Sequence, residues 1–275
     1  MIILKAVALS CPEVRGLMTN PEAISLPAAA DSEAAKVLKT QKIRLIRYLE
    51  PATKRTILTF GGAGIDPEEL AQDANSTGVL LGANRGAEAT RQKFAAGFKS
   101  KGRRMVSATL FAQCGYNMIS SILAITYGLK GANLTLSGGA DLGTLLICRA
   151  IDLLNRGKLK NIIVGSYDLR MSEDSASETI LLVLSRQEGP GIRIELEKRE
   201  SQFEAEECGL YRLSEPGNFS AGDREPFEAG NNQFGSLLQI ANAFSDLKLG
   251  STEKSGWLIA ANRKSGGCLL KLTKN

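Results

Sequence analysis

The apolar and polar positions of the chain change period several times, and the changes mark out its elements. MIILKAVALS opens apolar with a single lysine and predicts a first strand. Lys36 to Tyr48 and Lys54 to Phe60 place apolar residues at helical spacing, with Pro51 as a break between them. GIDPEEL sets an aspartate before a proline and an acidic first turn, which is a helix-start signal. STGVLLGANRG then reads as a buried strand running into a glycine-containing loop. Thr109 to Gly128 is apolar with small residues and predicts one buried helix closed by a glycine.

NLTLSGG predicts a short strand, and apolar residues from Leu142 to Leu154 recur at helical spacing up to Asn155-Arg156-Gly157. NIIVGSYD follows as a continuous buried strand, so strand, helix and strand imply a parallel crossover. ETILLVLSRQ and GIRIELEKR read as two strands joined as a hairpin across Glu188, Gly189 and Pro190. Residues 200 to 230 are polar and without period, which predicts a long loop or crossover. A helix from about Phe234 to Leu247 and two strands, GWLIAAN and GCLLKLT, complete the chain, without a short-period repeat or low-complexity tract.

Composition narrows what this α/β pattern can do. With 275 residues, 43% hydrophobic and 23% charged, the chain is globular material. No apolar run of about 18 residues occurs, and the opening stretch lacks a preceding basic region, so the expectation is a cytoplasmic protein without a signal peptide or membrane span. The net charge of +5 includes small clusters at Lys99, Lys101, Arg103 and Arg104 and at Lys158 and Lys160. These read as a solvated face or as docking points for an acidic partner, and are too sparse for nucleic acid. Cys11, Cys114, Cys148, Cys208 and Cys268 have no CxxC spacing and an odd count, pointing to reduced thiols. Histidine is absent, which excludes Ser-His and Cys-His nucleophile activation and histidine metal sites. No metal or cofactor is expected.

The stretch from Arg103 to Asp168 resembles, element for element, the nucleophile region of β-ketoacyl synthases, which have the thiolase-like fold. Asn117, Met118, Tyr127, Gly128, Leu129, Gly131 and Asn133 fall on the family's helix and Tyr-Gly-Leu-x-Gly-x-Asn frame, and Gly143, Gly157, Gly165 and Asp168 follow it downstream. AGIDPEEL and GVLLGANRGAEAT are similar to the family's Ala-Gly-x-x-Pro-Glu helix and glycine loop, and Glu178 to its Glu-Gly-Ala strand. The resemblance is close over roughly residues 56 to 190. It implies an α/β, thiolase-like, layered α-β-α-β-α architecture in one domain, 1–275, well matched over about 1–190 and truncated in the C-terminal half, 191–275.

Against that family pattern, three departures fall in one site. The family's catalytic cysteine sits at a helix N-terminus, where backbone N–H groups stabilise a thiolate; the aligned residue here is Ala140. The second catalytic histidine aligns with Ala229, and the segment for the first is missing. The following Asp141 reads either as a cap for the helix amides or as a carboxylate without an identifiable partner.

The resemblance further implies that pairing runs through the strand Asn133, Leu134, Thr135, Leu136 and Ser137 beside Asn117, and that a loop bearing Leu110 and Phe111 reaches a partner's acyl tunnel. Plain core packing is the alternative for the two apolar residues. Arg85 occupies the position that faces the acyl tail, where an unpaired guanidinium would be costly, so it is paired, with Glu88 a candidate, or the tunnel is closed. The expected function is a non-catalytic, chain-length-factor-type subunit pairing with an active ketosynthase in polyketide or fatty-acid-like biosynthesis, with an acyl carrier protein as a further partner. The alternatives are an acyl-thioester transferase or hydrolase with a relocated nucleophile, such as Ser137 or Cys114, and a homodimeric binding protein.

Overall fold

A computed structural model describes residues 1–10, 49, 51–61, 67–139, 142–168, 178–187, 191–200, 209–212, 224–225, 237, 240–241, 244, 257–261 and 267–274. The helix expected over Lys36 to Tyr48 lies outside them. The first half carries strands β1 (Ile2–Ser10), β2 (Thr77–Ala83), β3 (Asn133–Ser137), β4 (Asn161–Asp168) and β5 (Glu178–Ser185). Its helices are α1 (Pro51–Gly61), α2 (Pro67–Gln72), α3 (Glu88–Lys101), α4 (Ala108–Ala112), α5 (Met118–Thr126) and α6 (Leu142–Asn155). The second half carries β6 (Ile192–Glu200), β7 (Gly209–Arg212), β8 (Arg224–Glu225), β9 (Trp257–Ala261) and β10 (Gly267–Lys274), with Leu237, Ile240, Ala241 and Phe244 helical.

The strands run β3-β2-β4-β5-β1-β6-β10-β9-β7-β8. Outward from the β1–β6 seam, each half repeats one order, first strand, fifth, fourth, second and third. The directions differ. β2 is parallel to both β3 and β4, as crossovers through α5 and α6 require, whereas β7 is antiparallel to both β8 and β9. The second half is also the reduced one, with β7 and β8 spanning four and two residues against seven and five in β2 and β3.

Alternation along the strands feeds two cores, one on each face. Leu80, Ile162, Val164 and Leu182 turn toward α6, where Leu142, Leu146, Ala150 and Leu154 meet the helical residues Leu237, Ile240 and Phe244 and the second-half residues Ile194 and Leu272. Val79, Leu81, Ile163 and Val183 face the other way, onto Ile57 and Phe60 of α1 and Ile119, Ile122 and Leu123 of α5. Helices, half-sheet, central helices and second half-sheet thus form the layered thiolase-like α/β arrangement. Burial on both faces is why β2 is fully buried and, after Thr77, apolar.

Three local expectations are corrected. β5 and β6 are not a hairpin, because β1 lies between them and is antiparallel to both. The chain leaves β5 at the level of Ile3, steps across β1 and re-enters at the level of Leu4 in the same direction. Gly191 makes that step with φ 152°, and a Cβ there would lie 2.4 Å from Ile3 Cγ2 and 2.7 Å from the Leu4 carbonyl oxygen. Second, Thr109 to Gly128 is not one buried helix but α4 and α5, separated by a turn at 113–117; α4 has no buried residue. Gly128 does terminate α5, at φ 64°. Third, the segment 200 to 230 contains two strands, β7 and β8.

Pro51 opens α1, at a position where its missing N–H costs nothing. The lysine in β1 has an outlet: the register shifts between Leu4 and Ala6, and Lys5 Nζ bonds Glu69 Oε1 at 3.0 Å. Asp73 ties three elements together, its carboxylate accepting from Lys160 Nζ at 2.6 Å before β4 and from Gln187 Nε2 at 2.9 Å after β5. Among the described residues, no helix is long and apolar enough to cross a membrane.

Candidate docking face

β3 closes the sheet at one end and pairs on its inner side with β2, from Val79↔Asn133 to Ala83↔Ser137. Among the described residues nothing pairs with its outer side, so that edge presents unpaired backbone donors and acceptors. Leu134 and Leu136 are partly buried against the α6 core. On the opposite face Thr135 Oγ1 is 2.9 Å from Ser120 Oγ, and Asn133 Nδ2 donates to Ser121 Oγ at 3.4 Å. Ser120 Oγ also donates to the Asn117 carbonyl at 3.0 Å, and Asn117 stands at the N-cap position of α5 without a side-chain cap bond. The first turn of α5 therefore brings Asn117, Asn133 and Thr135 together, while Asn133 and Ser137 stay exposed at the strand ends.

Leu110 and Phe111 sit on α4, which precedes this helix. Phe111 is largely exposed and touches Phe94 of α3 at 5.5 Å between ring centroids. Met105 and Phe98 are exposed on the turn after α3 and on α3 itself, the elements next to α4. Lys99, Lys101, Arg103 and Arg104 are exposed at the C-terminal end of α3, so large apolar and basic groups share this end of the molecule.

Arg85 lies in the loop after β2 and points outward, with Nε 3.9 Å from Glu88 Oε2. The guanidinium that turns inward is Arg91 of α3. Its Cζ lies 4.7 Å from the centroid of the Tyr116 ring, and its Nη2 donates to the Arg85 carbonyl at 3.0 Å and the Tyr116 hydroxyl at 3.4 Å. Tyr167, almost fully buried at the end of β4, donates from its hydroxyl to the Tyr116 carbonyl at 3.0 Å. Sequence reasoning missed Arg91 and Tyr116; the signal available was an aromatic beside Gly115 in an interrupted helix. Behind the turn is a cavity of about 10 Å³ lined by Thr53, Thr90, Gln113, Met118 and Tyr167, with room for about one water molecule.

Ala140, Asp141 and Ala229 lie outside the described residues; α6 begins directly after the first two, at Leu142. Of the two candidate relocated nucleophiles, Ser137 is exposed at the end of β3 and Cys114 is half-buried, its Sγ 3.3 Å from the Leu110 carbonyl. Burial pushes the Cys114 thiol pKa up, partly offset by the positive charge of Arg91. Among the described residues, no three Cys, Asp or Glu side chains cluster as metal ligands.

The profile of the β-ketoacyl synthase N-terminal domain matches residues 26–190, more than half of the chain. The chain belongs to the β-ketoacyl synthase family. Solved structures similar to this ketosynthase-family chain include the ishigamide ketosynthase/chain length factor, at 12% identity and TM-score 0.65 over 99% of both chains. A ketosynthase in complex with its chain length factor from Xenorhabdus doucetiae is similar at 10% identity and TM-score 0.54, over 99% of both chains. A type II polyketide acyl-carrier protein complex with its ketosynthase gives 11% and 0.60 over 100% of this chain and 99% of that one. At these identities the likeness is one of fold. Against individual curated proteins the ketosynthase-family chain has no match.

Proposed function

We propose that this chain is a ketosynthase-like subunit of the chain-length-factor type, which pairs with an active ketosynthase in polyketide or fatty-acid-like biosynthesis and completes its partner's acyl cavity. The observation that carries this reading is the open outer edge of β3, together with Phe111 held in solvent on α4, the helix that precedes α5 and β3 along the chain. An open strand edge is a template for pairing with another chain, and an exposed phenylalanine on a short helix is suited to entering a partner's apolar pocket. The likeness in fold to structures of ketosynthases with their chain length factors supports the same reading.

The catalytic part of the reading rests on chemistry that the chain lacks. Without histidine, and with alanine at the aligned nucleophile position, it has neither the thiolate nor the imidazoles that condensation in the family uses. Cys114 is a poor substitute because burial favours its neutral thiol. The basic residues closing α3 favour an acidic carrier protein as the donor that visits the complex.

The test is co-expression with a ketosynthase drawn from the gene neighbourhood of this chain. A one-to-one complex is expected, with product formed only when both chains are present and no acyl adduct on this chain by intact mass. Full product formation by the ketosynthase alone sinks the proposal. An adduct on Cys114 or Ser137 would favour a transferase instead, and a homodimer that ignores the ketosynthase a binding protein.

A further inference from the structure

We infer that Arg91 and Tyr116 form a clamp that sets the pose of α4, and through it where Phe111 stands in a partner's cavity; this second step rests on the pairing proposed above. α4 is five residues long and buries none of them. A helix of one turn does not sustain itself, so its position depends on what holds its two ends.

At the N-terminal end, Ser107 Oγ accepts from the Leu110 amide at 3.1 Å. The C-terminal end runs into the turn 113–117, and there the holding groups come from elsewhere. Tyr167 fixes the Tyr116 backbone through its carbonyl. The Tyr116 ring packs on Gly86, where a Cβ would stand 2.5 Å from Cδ1 and Cε1 and where φ is +57°. A side chain at that position would both strain the backbone and displace the ring. Arg91 supplies the remaining contacts, a cation over the ring and a bond to its hydroxyl, while its bond to the Arg85 carbonyl ties the same guanidinium to the loop that contains Gly86.

The chemistry of Arg91 favours a specific role over generic helix packing. Its Nη1 is enclosed and has no hydrogen-bond partner among the described residues. An enclosed unpaired donor is a cost that leucine or methionine would avoid.

Hydrogen exchange on the isolated chain tests the clamp without any partner. The amides of Phe111, Gln113 and Cys114 bond the carbonyls of Ser107, Leu110 and Phe111 and report on α4 directly. In Arg91→Ala they should exchange about tenfold faster, as expected for loss of a partly desolvated cation–ring contact, while amides of β2 and α6 keep their rates. Arg91→Lys, which keeps the charge but loses the planar fork, should fall between the two. Unchanged rates at these three amides, or a uniform rise that includes β2 and α6, would overturn the clamp.

With the ketosynthase present, Arg91→Ala should still form the complex but broaden the distribution of product lengths. An unchanged distribution from an intact complex overturns the second step. If the wild-type chain forms no complex, the pairing proposal fails while the exchange rates still decide the clamp.

Discussion

Phe111→Ala separates a docking residue from a packing residue, because the two roles predict opposite pairs of results. Phe111 is 64% exposed, so about one third of it serves the chain's own packing. Full burial of a phenylalanine stabilises by about 1.5–3 kcal/mol, so the exposed share leaves about 1–2 kcal/mol for a partner to gain. That corresponds to a weakening of about 5- to 30-fold in affinity when the ring is removed. The buried share, about 0.5–1 kcal/mol, and the contact with Phe94, about 0.5–1.5 kcal/mol, together limit the loss of stability in the isolated chain to about 1–2.5 kcal/mol. Titration calorimetry against the purified ketosynthase reads the first quantity, and urea unfolding of the chain alone reads the second. Unchanged affinity together with a stability loss of about 3 kcal/mol or more, the range for truncating a core phenylalanine, would refute the reasoning.

Asp73→Ala should cost about 1–2 kcal/mol at neutral pH, through loss of the Lys160 and Gln187 bonds. Lys160 is the main cause of a lowered Asp73 pKa, so this stability is present above the ordinary carboxylate pKa and is lost as pH falls through the lower folded-state value. Urea midpoints of the two proteins should differ at about pH 7 and draw together as the pH is lowered below the ordinary carboxylate range; a gap that stays constant with pH counts against the bond set. Gly191→Val should destabilise by about 2 kcal/mol or more, because its Cβ meets Ile3 and Leu4. Gly97→Ala, in open space on α3, should instead stabilise by about 0.5–1 kcal/mol, and thermal melts showing the same sign for both would contradict the packing argument. Cys114 should react with iodoacetamide along a pH curve displaced upward from that of an exposed thiol, and further upward in Arg91→Ala, since Arg91 opposes the shift; a curve at or below the ordinary thiol value would show the burial to be wrong.

The elements legible in the sequence were those whose residues carry their own period. β2, β4 and α6 combine apolar runs or helical spacing with a terminating turn, and their environment only confirms what the run requires. The β5–β6 connection was misread because a short turn-rich segment looks the same whether it reverses or steps across a third strand; only the pairing of β1 decides. The single helix over Thr109 to Gly128 failed for a related reason. Apolar residues on α4 face solvent, so composition there reported no burial. Of the site, Asn133 to Ser137 could be placed from the strand and its neighbouring motif, whereas the Arg91–Tyr116 contact spans 25 residues and leaves no local spacing to detect.

The central place of β1 also governs when the fold can form. Its partners are β5 and β6, so Ile3 waits for Ser185 and Ile2 for Ile194, while β6 in turn waits for β10 near the end of the chain. During synthesis the first strand therefore emerges long before anything that can cover it. Such non-local closure slows folding and leaves an apolar strand open to wrong associations. Yield in cells should depend on chaperone supply and on translation temperature more than on the final stability of the protein.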